Sequence, residues 1–243
     1  MNYANETIKI EHGKTKMIAH RGFRRVEVEN TLQAFNYASK TTVYGIENDV
    51  HVTKDDKFIV IHDHDLKRLA GIDSEITVEE MTFDECRAVK LLGKNGEPDE
   101  NYRMATVEEY INACKSGGKQ AILEIKNIDY ENSKRLAQLV NELGYLDNTT
   151  FISFQMHCLE AVRSVNPNQS VQFLTFNFDI SLIPTLVSNK WDLDIDYKLL
   201  TKERIDALHE LGITVNCFTV NEKDVAVLLV YWGVDMITSD VLE

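Results

Sequence analysis

Gln120-Ala121-Ile122-Leu123-Glu124-Ile125-Lys126 is an apolar, β-rich run interrupted by one acid and one base. It reads as a strand. Glu131–Leu143 follows as a helix that ends at Gly144, a residue suited to the left-handed C-cap, and Thr150–Phe154 is a strand again. Strand, helix and strand in this order form the repeating unit of a parallel sheet with helices outside it.

The alternation extends in both directions from this unit. Strands are expected at Met17–His20, Tyr44–Val52, Phe58–His62, Val171–Thr175, Trp191–Ile195, Ile213–Val220 and Val234–Thr238. Helices are expected at Thr31–Ser39, Thr106–Lys115, His157–Val165, Ser181–Ser188, Lys202–Leu211 and Glu222–Tyr231. Only the polar segment 53–57 separates the second and third strands, which leaves no room for a helix. The rhythm breaks at 64–103, a polar stretch with Gly71, Gly93, Gly96, Pro98 and a short helix at Thr82–Leu91, read as an insertion lying over the body. Nine candidate strands compete for the eight places of a closed barrel, and Trp191–Ile195 is the weakest of them. An open doubly wound sheet is the alternative, but no glycine-rich dinucleotide turn follows the first strand.

The chain of 243 residues carries 39 acidic and 26 basic side chains, a net charge of −13. Nucleic acid is therefore not an expected partner, and any bound phosphate must be held by local positive charge. Cys86, Cys114, Cys158 and Cys217 are scattered without zinc or redox spacing and read as buried thiols. Residues 1–16 lack the apolar region of a signal peptide. The longest apolar run, Val225–Trp232, is far short of the roughly 20 residues of a spanning helix. A soluble cytoplasmic protein with no stable membrane insertion is expected, although a processed secreted protein would look the same.

Glu47 and Asp49 lie two apart on a strand and so point to one side. Two carboxylates there repel unless something positive lies between them. A hard divalent cation suits them, and a solvated strand face is the plainer alternative. Glu124 and Lys126 share one face of their strand, as a metal ligand and a phosphate contact or as a simple ion pair. His20 closes the first strand in Ala19-His20-Arg21-Gly22, and His62 closes the third in Ile61-His62-Asp63. If strands one to three are barrel neighbours, their C-terminal ends bring His20, Glu47, Asp49 and His62 together on the active face. Two imidazoles can then trade a proton while Arg21 grips a phosphoryl oxygen. His51 is expected at the surface, and His12, His64, His157 and His209 lack complementary neighbours.

At these residues the chain resembles the glycerophosphodiester phosphodiesterases. His20-Arg21-Gly22 with Glu29-Asn30-Thr31, then Glu47-Asn48-Asp49-Val50, Thr53-Lys54-Asp55 and His62-Asp63, are similar to that family's opening blocks in order and spacing. Thr106-Val107-Glu108-Glu109, Glu124-Ile125-Lys126, Ser153-Phe154, Phe218-Thr219-Val220-Asn221 and Ile237-Thr238-Ser239-Asp240 are similar to the later ones. The resemblance implies an α/β TIM (β/α)8 barrel, one domain over 1–243, with a small insertion after the third strand at about 64–103. It implies hydrolysis of a small-molecule glycerophosphodiester substrate to an alcohol and sn-glycerol 3-phosphate. It makes Glu47, Asp49 and Glu124 ligands to one divalent cation, Mg²⁺ or Ca²⁺. His20 and His62 become the acid–base pair, and Arg21 and Lys126 the phosphate contacts. Val28 and Ala105 replace prolines usual in the family. Phe218 replaces a tryptophan and alters the substrate wall. Enzymes of the same superfamily that cleave lysophospholipid or sphingomyelin-type head groups, and a non-catalytic phosphate binder, are the competing readings.

Overall fold

The computed structural model describes residues 3–126 and 128–243. Its strands are β1 (Lys16–Ala19), β2 (Gly45–Val52), β3 (Phe58–Val60), β4 (Gln120–Ile125), β5 (Thr149–Ser153), β6 (Val171–Thr175), β7 (Asp192–Asp196), β8 (Val215–Phe218) and β9 (Met236–Ser239). All except β3 are parallel to their neighbours, and β1 pairs with both β9 and β2, so eight strands close into a TIM barrel.

The helices are α1 (Leu32–Ala38), α2 (Lys67–Ala70), α3 (Phe83–Ala88), α4 (Val107–Gly117), α5 (Tyr130–Glu142), α6 (Met156–Val165), α7 (Ile183–Asn189), α8 (Lys202–Glu210) and α9 (Lys223–Trp232). Side-chain caps start several of them. The Thr106 hydroxyl accepts the Glu109 N–H at 3.1 Å while Glu109 accepts the Thr106 N–H at 2.9 Å, a reciprocal capping box at the head of α4.

The two-residue period of the strands divides the core. On β4, Ala121, Leu123 and Ile125 join the apolar layer between barrel and helices. Ile122 faces inward and meets Ile18, Ile152, Leu174 and Met236 in a small plug. Glu124 continues the inward side of Ile122, which places it at the C-terminal mouth.

Two expectations need correction. Trp191–Ile195, the weakest candidate, corresponds to the barrel strand β7, and the strand left outside the barrel is β3. With so short a turn after β2 the chain has room only to double back, and β3 lies antiparallel on β2 with Val50 opposite Val60. The insertion therefore follows the third strand in chain order but lies between the second and third strands of the barrel. Nor is the insertion merely a polar cover. Leu66, Leu69, Val78, Cys86 and Leu91 pack with Ile59, Ile61 and Met104 into a second apolar core. Its apolar residues are too widely spaced in sequence to announce a face.

All four cysteines are free and buried. Among the described residues no helix is long and apolar enough to cross a membrane.

Gly117, the last residue of α4, lies close against Ser39 at the end of α1. A Cβ there would lie 2.3 Å from the Ser39 carbonyl oxygen, which is backbone just beyond α1 and cannot swing aside. Gly117→Ala is expected to cost about 1–3 kcal/mol by overpacking. Urea unfolding should show the loss as a lower midpoint at constant slope, and an unchanged midpoint would contradict the contact.

Candidate active site

Three carboxylates meet at the barrel mouth because β2 and β4 pair with Asp49 opposite Glu124. Glu47 precedes Asp49 by one two-residue step on the same side. All three are buried, and one oxygen of each lies within 4.8 Å of the other two. Burial, with repulsion from Asp49 and Glu124, pushes the Glu47 carboxyl well above its usual range. Burial also takes Glu124 up to about 7 against the pull of Lys126. Asp49 moves the other way. Its burial opposes ionisation, but Lys126 and Arg21 outweigh that and hold it well below the usual carboxylate range. An all-oxygen set under such repulsion fits a hard divalent cation, which would relieve the strain on Glu47 and Glu124 together.

Positive side chains frame the cluster. The Lys126 ammonium donates to Glu124 Oε1 at 2.7 Å and to Asp49 Oδ1 at 3.0 Å. The plain ion pair and the position beside the carboxylates are thus both present. Arg21 follows β1 in a tight turn, with φ of +50°. The turn closes on Gly22, where φ is +76° and a Cβ would come within 2.7 Å of Ala34 Cβ. This turn aims the Arg21 N–H at Glu47 Oε2, 2.8 Å away. The Arg21 guanidinium donates to Glu29 Oε1 at 2.8 Å and lies 3.4 Å from Asp49 Oδ2. Glu29 is clamped from its other side by Arg68 at 2.8 and 2.9 Å.

Both histidines are oriented by carboxylates. His20 Nδ1 lies 2.6 Å from Asp240 Oδ1, and Asn221 Nδ2 donates to the other Asp240 oxygen at 2.8 Å. His62 Nδ1 lies 2.6 Å from Asp63 Oδ1, and Arg68 Nε donates to Asp63 Oδ2 at 2.6 Å. Each acceptor draws the ring proton to Nδ1 and leaves the lone pair on Nε2. His20 Nε2 is 4.0 Å from Glu47 Oε2. Burial pushes both imidazoles below their usual value, helped at His20 by the neighbouring Arg21 charge.

His20, Arg21, Glu47, His62, Glu124 and Lys126 share one cavity of about 430 Å³. Asp49 lies beneath them, fully buried. Phe154, Phe176 and Phe218 line the same cavity. Phe218 meets Phe176 edge-on at 5.4 Å, and Phe176 stacks on Phe154 at 5.1 Å.

The candidate site residues His20, Arg21, Glu47, Asp49, His62, Glu124, Lys126 and Phe218 therefore meet at this mouth, although His62 follows the returning β3 strand and not a barrel strand. Ile61 N–H, next to His62, donates to the Asp49 carbonyl at 3.0 Å and sets that level. Asn30, which precedes the expected Thr31–Ser39 helix, donates through Nδ2 to Asp49 Oδ2 at 2.7 Å, while Thr31 caps α1. Sequence reasoning gave no orienting role to Asp240, which follows β9 in the final block. It also missed Asp194, an inward-facing acid of β7 whose burial pushes it well above the usual range. An acid in the middle of Leu193-Asp194-Ile195 was the available signal. His51 and His64 were misread as well. His51 is 1% exposed and lies 2.7 Å from Glu79 Oε1, and His64 Nδ1 lies the same distance from that oxygen. Their partner comes from the insertion, 28 and 15 residues away in sequence.

Residues 20–243 match the model of the glycerophosphoryl diester phosphodiesterase family. A glycerophosphodiester phosphodiesterase of Caldanaerobacter subterraneus is 26% identical over 93% of this chain and 94% of its own length. The crystal structure of a glycerophosphodiester phosphodiesterase from Parabacteroides distasonis superposes with a TM-score of 0.77 at 28% identity, covering 95% of this chain and 94% of that one. A phosphodiesterase of Oleispira antarctica, solved with the product sn-glycerol-3-phosphate, shares the fold with a TM-score of 0.85 at 21% identity over 93% of each chain. The chain belongs to the glycerophosphoryl diester phosphodiesterase family and is an enzyme of the phosphoric diester hydrolase class.

Proposed function

We propose that this enzyme hydrolyses glycerophosphodiesters to an alcohol and sn-glycerol 3-phosphate, using Glu47, Asp49 and Glu124 to hold one Mg²⁺ or Ca²⁺ ion and His20 and His62 as its acid and base. The observation that carries the reading is the meeting of three buried carboxylates and two carboxylate-oriented histidines on one cavity. The product held by the Oleispira relative agrees with it.

The cation, when bound, supplies positive charge where the phosphoryl oxygens gain negative charge. Arg21 and Lys126 act on the same oxygens, and their carboxylate partners hold them in place before substrate arrives. A neutral imidazole takes a proton at its free Nε2 from the attacking oxygen, either water or the substrate's own glycerol hydroxyl, the latter giving a cyclic phosphate that water then opens. The second imidazole, protonated at Nε2, gives a proton to the leaving alcohol oxygen. Asp240 and Asp63 stabilise the imidazolium that each ring becomes in turn. Burial lowers both histidines, so a neutral base is available at neutral pH. The phosphodiester's own negative charge favours protonation of the other ring.

The aromatic wall favours a second reading for the far side of the phosphate. Phe176 is 60% exposed and Ile180, in the same connection between β6 and α7, is 72% exposed. An apolar rim of this kind suits a lysophospholipid tail. It lies in a barrel loop and not in the insertion.

Two experiments decide these points. His20→Ala and His62→Ala should each lower release of glycerol 3-phosphate by about 10²–10⁴-fold with an unchanged circular dichroism melt. Near-parent turnover in either folded variant would remove that residue from the chemistry. In a panel of glycerophosphocholine against lysophosphatidylcholine, the first substrate should be preferred. If the lysolipid is cleaved, Phe176→Ser should depress that activity about tenfold more than the other, given about 1.5–3 kcal/mol for a buried aromatic contact. Equal losses would place no tail on the rim.

A further inference from the structure

A second group of ligand-type side chains lies apart from the three carboxylates. His51 near the end of β2, His64 in the loop after β3 and Glu79 in the insertion bring two imidazole nitrogens and a carboxylate oxygen within 4.8 Å of one another. Both Nδ1 atoms lie 2.7 Å from the same oxygen, Glu79 Oε1. The second ring nitrogen of His51 gives the arrangement its meaning. His51 Nε2 is 3.2 Å from the His62 carbonyl oxygen. A carbonyl only accepts, so this contact is a hydrogen bond only when Nε2 carries the ring proton. In the neutral ring Nδ1 is then an unprotonated lone pair aimed at another lone pair, that of a carboxylate. Two acceptors rest 2.7 Å apart only when a proton or a metal ion lies between them. A ring proton on Nδ1 would serve, but it would make a buried imidazolium, since His51 is 1% exposed. A metal ion would serve without it, and a ligand histidine whose other nitrogen donates to a backbone carbonyl is the usual supporting arrangement.

We propose that His51, His64 and Glu79 bind a divalent transition-metal ion of the zinc type and thereby fasten the insertion to the barrel beside His62. Two nitrogens and one oxygen suit Zn²⁺, whereas Mg²⁺ and Ca²⁺ prefer oxygen alone. Bonds of about 2.0–2.1 Å to a tetrahedral ion set donor atoms about 3.4 Å apart. Glu79 need retreat by only a fraction of an ångström, and its side chain is 31% exposed. The His64 side chain is 58% exposed, which leaves the fourth position to water. The support is already braced. Val78 N–H donates to the His64 carbonyl at 2.8 Å, and Val78 is fully buried. The ion would thus tie together β2, the His62–His64 loop and the insertion's own core. The site is distinct from the proposed hydrolytic one, and its occupancy is measurable without turnover.

The test is a calorimetric titration of the full chain with ZnCl₂, after removal of metals by chelator and dialysis into saturating Mg²⁺ to fill the oxygen site. One Zn²⁺ should bind per chain and raise the melting temperature. His64→Ala and Glu79→Gln should each weaken binding by at least about tenfold, and Glu47→Gln should retain it. Absence of zinc binding would leave only a proton-bridged clasp and overturn the proposal. Equal binding by parent and His64→Ala, or loss of binding in Glu47→Gln alone, would place the zinc elsewhere and overturn it too.

Discussion

The mutual repulsion of Glu47, Asp49 and Glu124 is the constraint around which the barrel mouth is organised. Strand register creates it, because pairing β2 with β4 sets Asp49 opposite Glu124 and the two-residue period brings Glu47 to the same side. Three buried carboxylates so close are tolerable only with compensating charge. Lys126 answers Asp49 and Glu124, Arg21 answers Glu29 and Asp49, and the Arg21 backbone N–H answers Glu47. The left-handed turn at His20–Gly22 is what allows one residue to present both its N–H and its guanidinium to the acids.

The histidines flank this cluster by two unrelated routes and reach the same local arrangement. His20 leaves β1 and is held by Asp240 after β9, across the seam where the barrel closes. His62 rides back on a hairpin and is held by its own neighbour Asp63. Arg68 binds Asp63 and Glu29 together, so the support of His62 and the support of Arg21 share one guanidinium. The insertion, which carries Arg68, is thereby part of the site's framework and not only a cover over it.

The barrel was readable because its strands and helices alternate with the right lengths, and the charged residues at strand ends stood out against apolar runs such as Ala121–Ile125. What was not readable depended on contacts distant in sequence. Phe58–His62 and Trp191–Ile195 look alike as short apolar strands, and only closure of the ring decides which one is surplus. His51 was expected at the surface and His64 without a partner, because the Glu79 that engages both lies distant in sequence. The insertion's second core was hidden because Leu66, Val78, Cys86 and Leu91 follow no single period. Asp240 lay within a recognised block, but its hold on His20 spans 220 residues and only the folded chain brings the two together.

The central claim, that the three-carboxylate cluster is a site for a hard cation, is tested most directly by binding and not by turnover. Chelator-stripped protein should be titrated calorimetrically with Mg²⁺ and with Ca²⁺, alongside a folded Glu47→Gln variant. One ion per chain, with affinity lost in the variant, is the predicted result. No binding of either ion, or binding unchanged by Glu47→Gln, would contradict the account.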